Sequence, residues 1–210
     1  RASRSENFGY FEMVHYDYPA IMARVRGLFP GKQIVLLGHS LGGQLGALYT
    51  GIAEEPPTAL ILVASCNVHY RAWRSPLKIL GGVLTMRALG NIFGYVPGKQ
   101  VGFGGREARG VIIDWSNNCM RGTYRLLNSS VDYHEKMAAV QRPVFALTFE
   151  NDWLAPKEAA ENLYRCLSSA TVEHTHIEKN DPDFIDVSHF NWARRPKGAM
   201  KYIERWLATL

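Results

Sequence analysis

Three polar side chains have the types and the order that covalent acyl chemistry needs: Ser40, then Asp152, then His189. A serine hydroxyl is a poor nucleophile near neutral pH. It needs a base to take its proton and a carboxylate to orient that base. Ser40 lies in Gly38-His39-Ser40-Leu41-Gly42-Gly43, a GxSxG pattern. Directly after a strand and before a helix, this pattern forms a sharp turn that exposes the hydroxyl. The turn is expected to be too tight for side chains at Gly38 and Gly42. The following helix N-terminus would offer the Leu41 backbone amide to a developing oxyanion. A plain glycine-rich βα turn is the alternative reading, and neither GxGxxG nor a P-loop is spelled here.

Asp152 follows a strand-like run by three residues, in Phe149-Glu150-Asn151-Asp152-Trp153-Leu154-Ala155-Pro156. The C-terminal ends of strands are where α/β sheets place ligand groups. Glu150 is the competing carboxylate, and Asp152 could instead cap a helix beginning near Pro156. Of seven histidines, His189 alone sits in a loop after the last strand pattern and before the final helix, in Asp186-Val187-Ser188-His189-Phe190. His174 and His176, two apart in a strand, share a face and are expected to pack or to meet solvent. His15, His69 and His134 have no evident partner, and His39 is the variable position of the elbow.

These groups need a scaffold, and the hydrophobic pattern supplies one. Ile34-Val35-Leu36-Leu37 within Gln33–Leu37, then Ala59–Ala64 and Pro143–Phe149, are continuous apolar runs of the kind found in parallel sheets covered on both faces. Helical spacing follows an Asp17 cap and Pro19, and recurs over Leu41–Ile52, Pro156–Leu167 and Lys197–Leu210. Thr171–Ile177 reads as a further strand. Between Cys66 and Lys136 the pattern changes to mixed aromatic residues, glycines and arginines with no clean strand. The expected organisation is an α/β core of residues 1–65 and 137–210, with residues 66–136 inserted as a mostly helical cap. Trp73, Leu77, Ile79, Leu80, Val83, Leu84, Met86, Ile92, Phe93 and Tyr95 of that insertion are candidates to line an apolar pocket, or simply to pack it.

Composition narrows the partners. The 210 residues carry 24 basic and 19 acidic side chains and 47% apolar ones, enough for a sizeable core. The basic residues look scattered along the chain, so nucleic acid is not expected as a partner. Cys66, Cys119 and Cys166 form neither a CxxC pair nor a zinc pattern, which fits a reducing, cytoplasmic setting. No apolar run reaches the roughly 20 residues needed to span a bilayer. Arg71, Arg74, Lys78 and Arg87 could meet an anionic head group or membrane surface, although solvated charges explain them as well. Oligomeric state is left open.

With Ser40, Asp152 and His189 in this order, the chain resembles the α/β-hydrolase superfamily, and within it a group of bacterial serine hydrolases related to monoglyceride-lipase-like and lysophospholipase-like enzymes. The resemblance rests on Gly38-His39-Ser40-Leu41-Gly42-Gly43-Gln44, Phe93-Gly94-Tyr95-Val96-Pro97-Gly98-Lys99, Leu147-Thr148-Phe149-Glu150-Asn151-Asp152 and Ser188-His189-Phe190. It implies a mostly parallel sheet with helices on both faces, a helical cap, and a small-molecule acyl substrate with an apolar acyl group. It implies hydrolysis of an ester or related compound through an acyl-serine, with no metal, nucleotide or flavin. An acyltransferase with the same triad and a noncatalytic binding domain on the same scaffold are the alternatives. The resembling fold also begins with strands and an oxyanion loop that nothing before Gly38 spells. The resemblance therefore implies roughly 80 further residues upstream, and an inactive fragment without them.

Overall fold

The computed structural model describes residues 2–101, 104–181 and 187–210. Arg1, at the head of the polar start, and Asp186, quoted beside His189, lie outside the described residues. Along the chain, α1 (Tyr10–Glu12), a π-helical turn (Met13–Asp17) and α2 (Tyr18–Leu28) run together. Then come β1 (Val35–His39), α3 (Leu41–Ile52), β2 (Ala59–Val63), α4 (Pro76–Phe93), β3 (Tyr95–Pro97), β4 (Arg106–Ala108) and α5 (Arg109–Arg121). α6 (Tyr133–Ala138), β5 (Val144–Phe149), α7 (Lys157–Tyr164), β6 (Val172–Ile177), α8 (Asn191–Arg194) and α9 (Lys197–Leu207) follow, and short 3-10 turns lie at Tyr70–Ala72 and Gly98–Val101. Two compact units result, Arg1–Leu28 with Val68–His134 and Phe29–Asn67 with Glu135–Leu210. Residues 1–28 thus group with 68–134, not with the sheet as the sequence had placed them.

The second unit is a parallel sheet in the order β1-β2-β5-β6. Leu37 pairs with Ile61, and Ile61 with Phe145. The two inner strands are buried along their whole length, which is why both read as unbroken apolar runs. β1 differs. It begins two residues later than expected, continues through His39, and leaves Leu37 41% exposed, because it borders this four-stranded sheet and, among the described residues, pairs only with β2. α3 packs on β1 and β2, and α7 and α9 pack on β5. The stripe expected on α9 places Ile203 and Trp206 in a core with Ile61, Val63, Phe145 and Leu147, with the Trp206 ring stacked 5.5 Å from that of Phe145. Each such large side chain contributes about 1.5–3 kcal/mol on burial, which fixes the strands whose ends carry the polar site.

In the first unit the initial helix is capped at Gly9, eight residues before the expected Asp17 cap. The Glu12 carboxylate accepts the Gly9 amide at 2.6 Å, and the buried Asp114 carboxylate accepts the amides of Tyr10 at 2.8 Å and Leu127 at 2.6 Å. Asp17 therefore lies within the helical run, in the wide turn just before Pro19, whose missing N–H makes an irregular ladder tolerable there. α4 and α5 are joined by Arg87, which donates to Ser116 Oγ at 2.6 Å and to Asn117 Oδ1 at 2.9 Å. β3 and β4 pair antiparallel, a hairpin missed in the sequence because three residues per strand leave no periodicity to read. Arg106 stacks 3.7 Å from the centroid of the Tyr95 ring across it.

Candidate active site

Ser40 occupies the one-residue step between β1 and α3 with φ 52° and ψ −119°, a left-handed conformation costing of order 1–3 kcal/mol for a residue with a side chain. Its amide donates to the Val63 carbonyl at 3.0 Å, and its carbonyl accepts the Gly43 amide at 3.1 Å. A Cβ at Gly38 would fall 2.5 Å from the backbone of Gly42 and Gly43, so the turn closes only because that side chain is absent. The expectation for Gly42 is corrected: a Cβ there would meet nothing within 4 Å. Gly43 is the second crowded position, where a Cβ would run into the buried Ser65 hydroxyl. Ser65 follows Ala64, which itself has φ 48°, so both strand ends beside the elbow are bent.

The three side chains singled out from the sequence meet here. His189 Nδ1 lies 2.8 Å from Asp152 Oδ2 and 3.0 Å from Oδ1, and its Nε2 lies 2.9 Å from Ser40 Oγ. An ionised carboxylate only accepts, so Nδ1 carries the proton and donates. That leaves the Nε2 lone pair facing the serine hydroxyl. The Asp152 side chain is fully enclosed and that of His189 is nearly so. Asp152 Oδ1 also accepts the amides of Leu154 at 3.0 Å and Ala155 at 2.9 Å. The helix-capping alternative for Asp152 is thus partly real, since it shapes the loop leading to α7 while holding the imidazole.

Glu150, the rival carboxylate, accepts the Lys179 amide at 2.7 Å. His174 and His176 are drawn into a separate chain. Thr148 Oγ1 sits 2.8 Å from both His174 Nε2 and His176 Nδ1, and Tyr164 OH lies 3.0 Å from His174 Nδ1. His15 Nε2 lies 2.8 Å from Tyr133 OH, and His134 Nε2 accepts the Tyr124 amide at 3.2 Å. Both therefore have partners that the sequence did not reveal. Burial pushes the thiols of Cys119 and Cys166 up to about 11 and raises Cys66 as well. None of the three is a poised nucleophile.

His39 is the residue that sequence reasoning passed over. Its Nε2 lies 2.8 Å from the His189 carbonyl. A carbonyl only accepts, so Nε2 is the donor. Its ring lies 4.9 Å from that of His189 and 5.5 Å from that of Trp192. Burial lowers its pKa below the ordinary imidazole value. The available signal was position, a polar side chain at the C-terminal end of a parallel strand. Two large apolar side chains flank the polar groups in sequence and remain exposed, Trp153 beside Asp152 and Phe190 beside His189.

A family model described as the alpha/beta hydrolase fold matches residues 2–92. No curated protein matches the chain by sequence. Among solved structures, Est1E from Butyrivibrio proteoclasticus is similar with a TM-score of 0.58 at 14% identity, over 97% of this chain and 72% of that one. A monoacylglycerol lipase from Paleococcus ferrophilus is similar with a TM-score of 0.55 at 17% identity, over 93% of this chain and 75% of that one. An acylaminoacyl peptidase from Pyrococcus horikoshii is similar with a TM-score of 0.51 at 13% identity, over 92% of this chain but 26% of that one. At these identities the likeness fixes the fold.

Proposed function

We propose, from the premise that this chain has the α/β-hydrolase fold, that it hydrolyses a carboxylic ester or related acyl compound through an acyl-Ser40 intermediate. The observation carrying this reading is the unbroken relay from Ser40 Oγ through His189 to Asp152, with separations of 2.9 and 2.8 Å, on a serine held at φ 52°. Ser40 Oγ attacks the acyl carbonyl carbon while its proton passes to His189 Nε2. Asp152 stabilises the resulting imidazolium. The carbonyl oxygen takes up the negative charge, and the Leu41 amide at the start of α3 is one donor to it. Collapse of the tetrahedral species breaks the bond to the leaving group, which departs with the proton from His189. A water molecule then repeats the sequence and releases the acid.

The exposed rings of Trp153 and Phe190 support an apolar acyl group, since small-molecule sites are mostly apolar with a few convergent polar groups. The esterase and lipase names among the structural neighbours agree with this substrate class. The test is labelling with a fluorophosphonate, which forms a bond only to an activated serine. Wild-type protein is expected to label and Ser40→Ala protein not to. Equal labelling of a folded Ser40→Ala variant would remove Ser40 from the role.

A further inference from the structure

Residues 194–205 contain Arg194, Arg195, Lys197, Lys201 and Arg205 against a single acid, Glu204. The whole chain has a formal charge of +5 from 24 cations and 19 acids. This short stretch therefore holds four of the five surplus charges, and the rest of the chain is almost balanced, with 19 cations and 18 acids. The scatter read along the chain is corrected: the surplus is concentrated in this one stretch. Lys197, Lys201 and Arg205 are four apart, so α9 aligns them on one side, while Ala199, Ile203 and Trp206 turn to the core. All five cations are exposed. Arg195, Lys197, Lys201 and Arg205, with Glu204 the one acid among them, border an open depression of about 980 Å³ over Pro196 and Met200.

We propose that this face of α9 docks on an anionic phospholipid bilayer surface. From Lys197 to Arg205 the helix advances by about 12 Å, too far for one phosphate to engage all the cations but suited to an array of head groups. The apolar content of the depression also favours lipid. Half-buried Met200, packed against the core beneath, lies between the cations, so the face sets charge around a partly apolar floor. A nucleic acid would find less to stack on, because Trp206 is buried in the core and Tyr202, half-buried, lies beside Arg205 with its hydroxyl donating to Asp181 at 3.1 Å. Among the described residues no helix is long and apolar enough to cross a membrane. Each basic residue near such a surface contributes about fivefold to partitioning.

The test is co-sedimentation of the full chain with vesicles of phosphatidylcholine alone and of phosphatidylcholine mixed with phosphatidylglycerol. Wild-type protein is expected to sediment only with the mixed vesicles and to be released by salt. A variant carrying Lys197→Gln, Lys201→Gln and Arg205→Gln is expected to partition about 100-fold more weakly, with its circular dichroism and its hydrolysis of a soluble ester unchanged. Salt release of the wild type provides a readout that does not depend on the variant folding. Equal sedimentation with both vesicle types, or undiminished binding by the folded variant, would overturn the proposal. So would wild-type protein that ignores anionic vesicles yet is retained by RNA or an acidic polypeptide. None of these outcomes bears on Ser40, so this proposal and the hydrolase reading fail separately.

Discussion

The His39 imidazole donates from Nε2 to the backbone carbonyl of His189 at 2.8 Å, so the side chain before the serine holds the main chain of the proposed base. Ser40 and His189 are 149 residues apart in sequence, and this bond ties the two segments together independently of the hydroxyl. We expect His39→Phe, which keeps a ring but removes the donor, to lower kcat about tenfold with little change in KM, because an unsatisfied buried carbonyl costs about 1–3 kcal/mol. His39→Gln, which can restore a donor, should recover part of the loss. Steady-state kinetics of the two variants check this, and unchanged kcat in His39→Phe would reduce His39 to packing.

For the relay itself, Asp152→Asn and His189→Ala should each lower kcat by about 10⁴-fold while moving KM far less, because members of a triad act as a unit. Asparagine retains an acceptor for the Leu154 and Ala155 amides but removes the negative charge that the imidazolium needs. Turnover close to wild type in a folded Asp152→Asn protein would transfer the acid role, with Glu150 next in line.

How much of this was legible depends on the range of the signal. β2 and β5 were readable because Ala59–Val63 and Val144–Phe149 are buried on every residue, and the elbow because its glycines, serine and flanking elements are local. Asp152 and His189 were readable from their positions after strands. The start of the first helix was not, since it depends on Asp114, more than a hundred residues away. Nor was the crowding at Gly43, which comes from Ser65 on another strand end. The partners of His15, His39, His134 and His174 likewise come from other parts of the chain.

Asp114 makes a pH-dependent prediction. Burial raises its carboxyl to about 6 from an ordinary 3.8, against the lowering effect of the Leu127 and Tyr10 amides and with a further rise from Glu12. The folded state therefore holds a proton that the unfolded chain releases, and stability falls as pH rises between these two values. Comparing wild type with Asp114→Asn by denaturant unfolding should show the wild-type advantage shrinking by about 2 kcal/mol from pH 4 to pH 6. A difference independent of pH would mean that Asp114 is not titrating in that range.

The lowered histidines act in the opposite direction. Burial is the largest cause of the downward shifts at His15, His39, His69, His174 and His176. At these sites the unfolded chain binds protons that the folded state refuses. Their contribution is complete above the ordinary value of 6.5 and is lost as pH falls through each lowered value. Thr148→Val, which deprives His174 and His176 of their shared hydroxyl, should alter the acid side of the melting profile more than the neutral side. A uniform drop in melting temperature across pH would show that the hydroxyl contributes only packing.

The elbow offers a test of packing against chemistry at neighbouring glycines. A methyl group at Gly42 has open space, whereas one at Gly43 meets both the hydroxyl and the Cβ of Ser65. Gly43→Ala should therefore cost about 1–3 kcal/mol of stability, in line with overpacking elsewhere, and should reduce activity by displacing the turn that carries Ser40. Gly42→Ala should be milder in both respects. Because the Ser65 Cβ is itself within 2.6 Å of the added methyl, Ser65→Ala should not relieve Gly43→Ala, while Ser65→Gly should relieve it in part. Thermal melts and fluorophosphonate labelling of Gly42→Ala, Gly43→Ala and the two Gly43→Ala double variants give the answer. Rescue by Ser65→Ala as full as by Ser65→Gly would place the conflict at the hydroxyl alone, and no rescue by either would place it in the backbone of the turn.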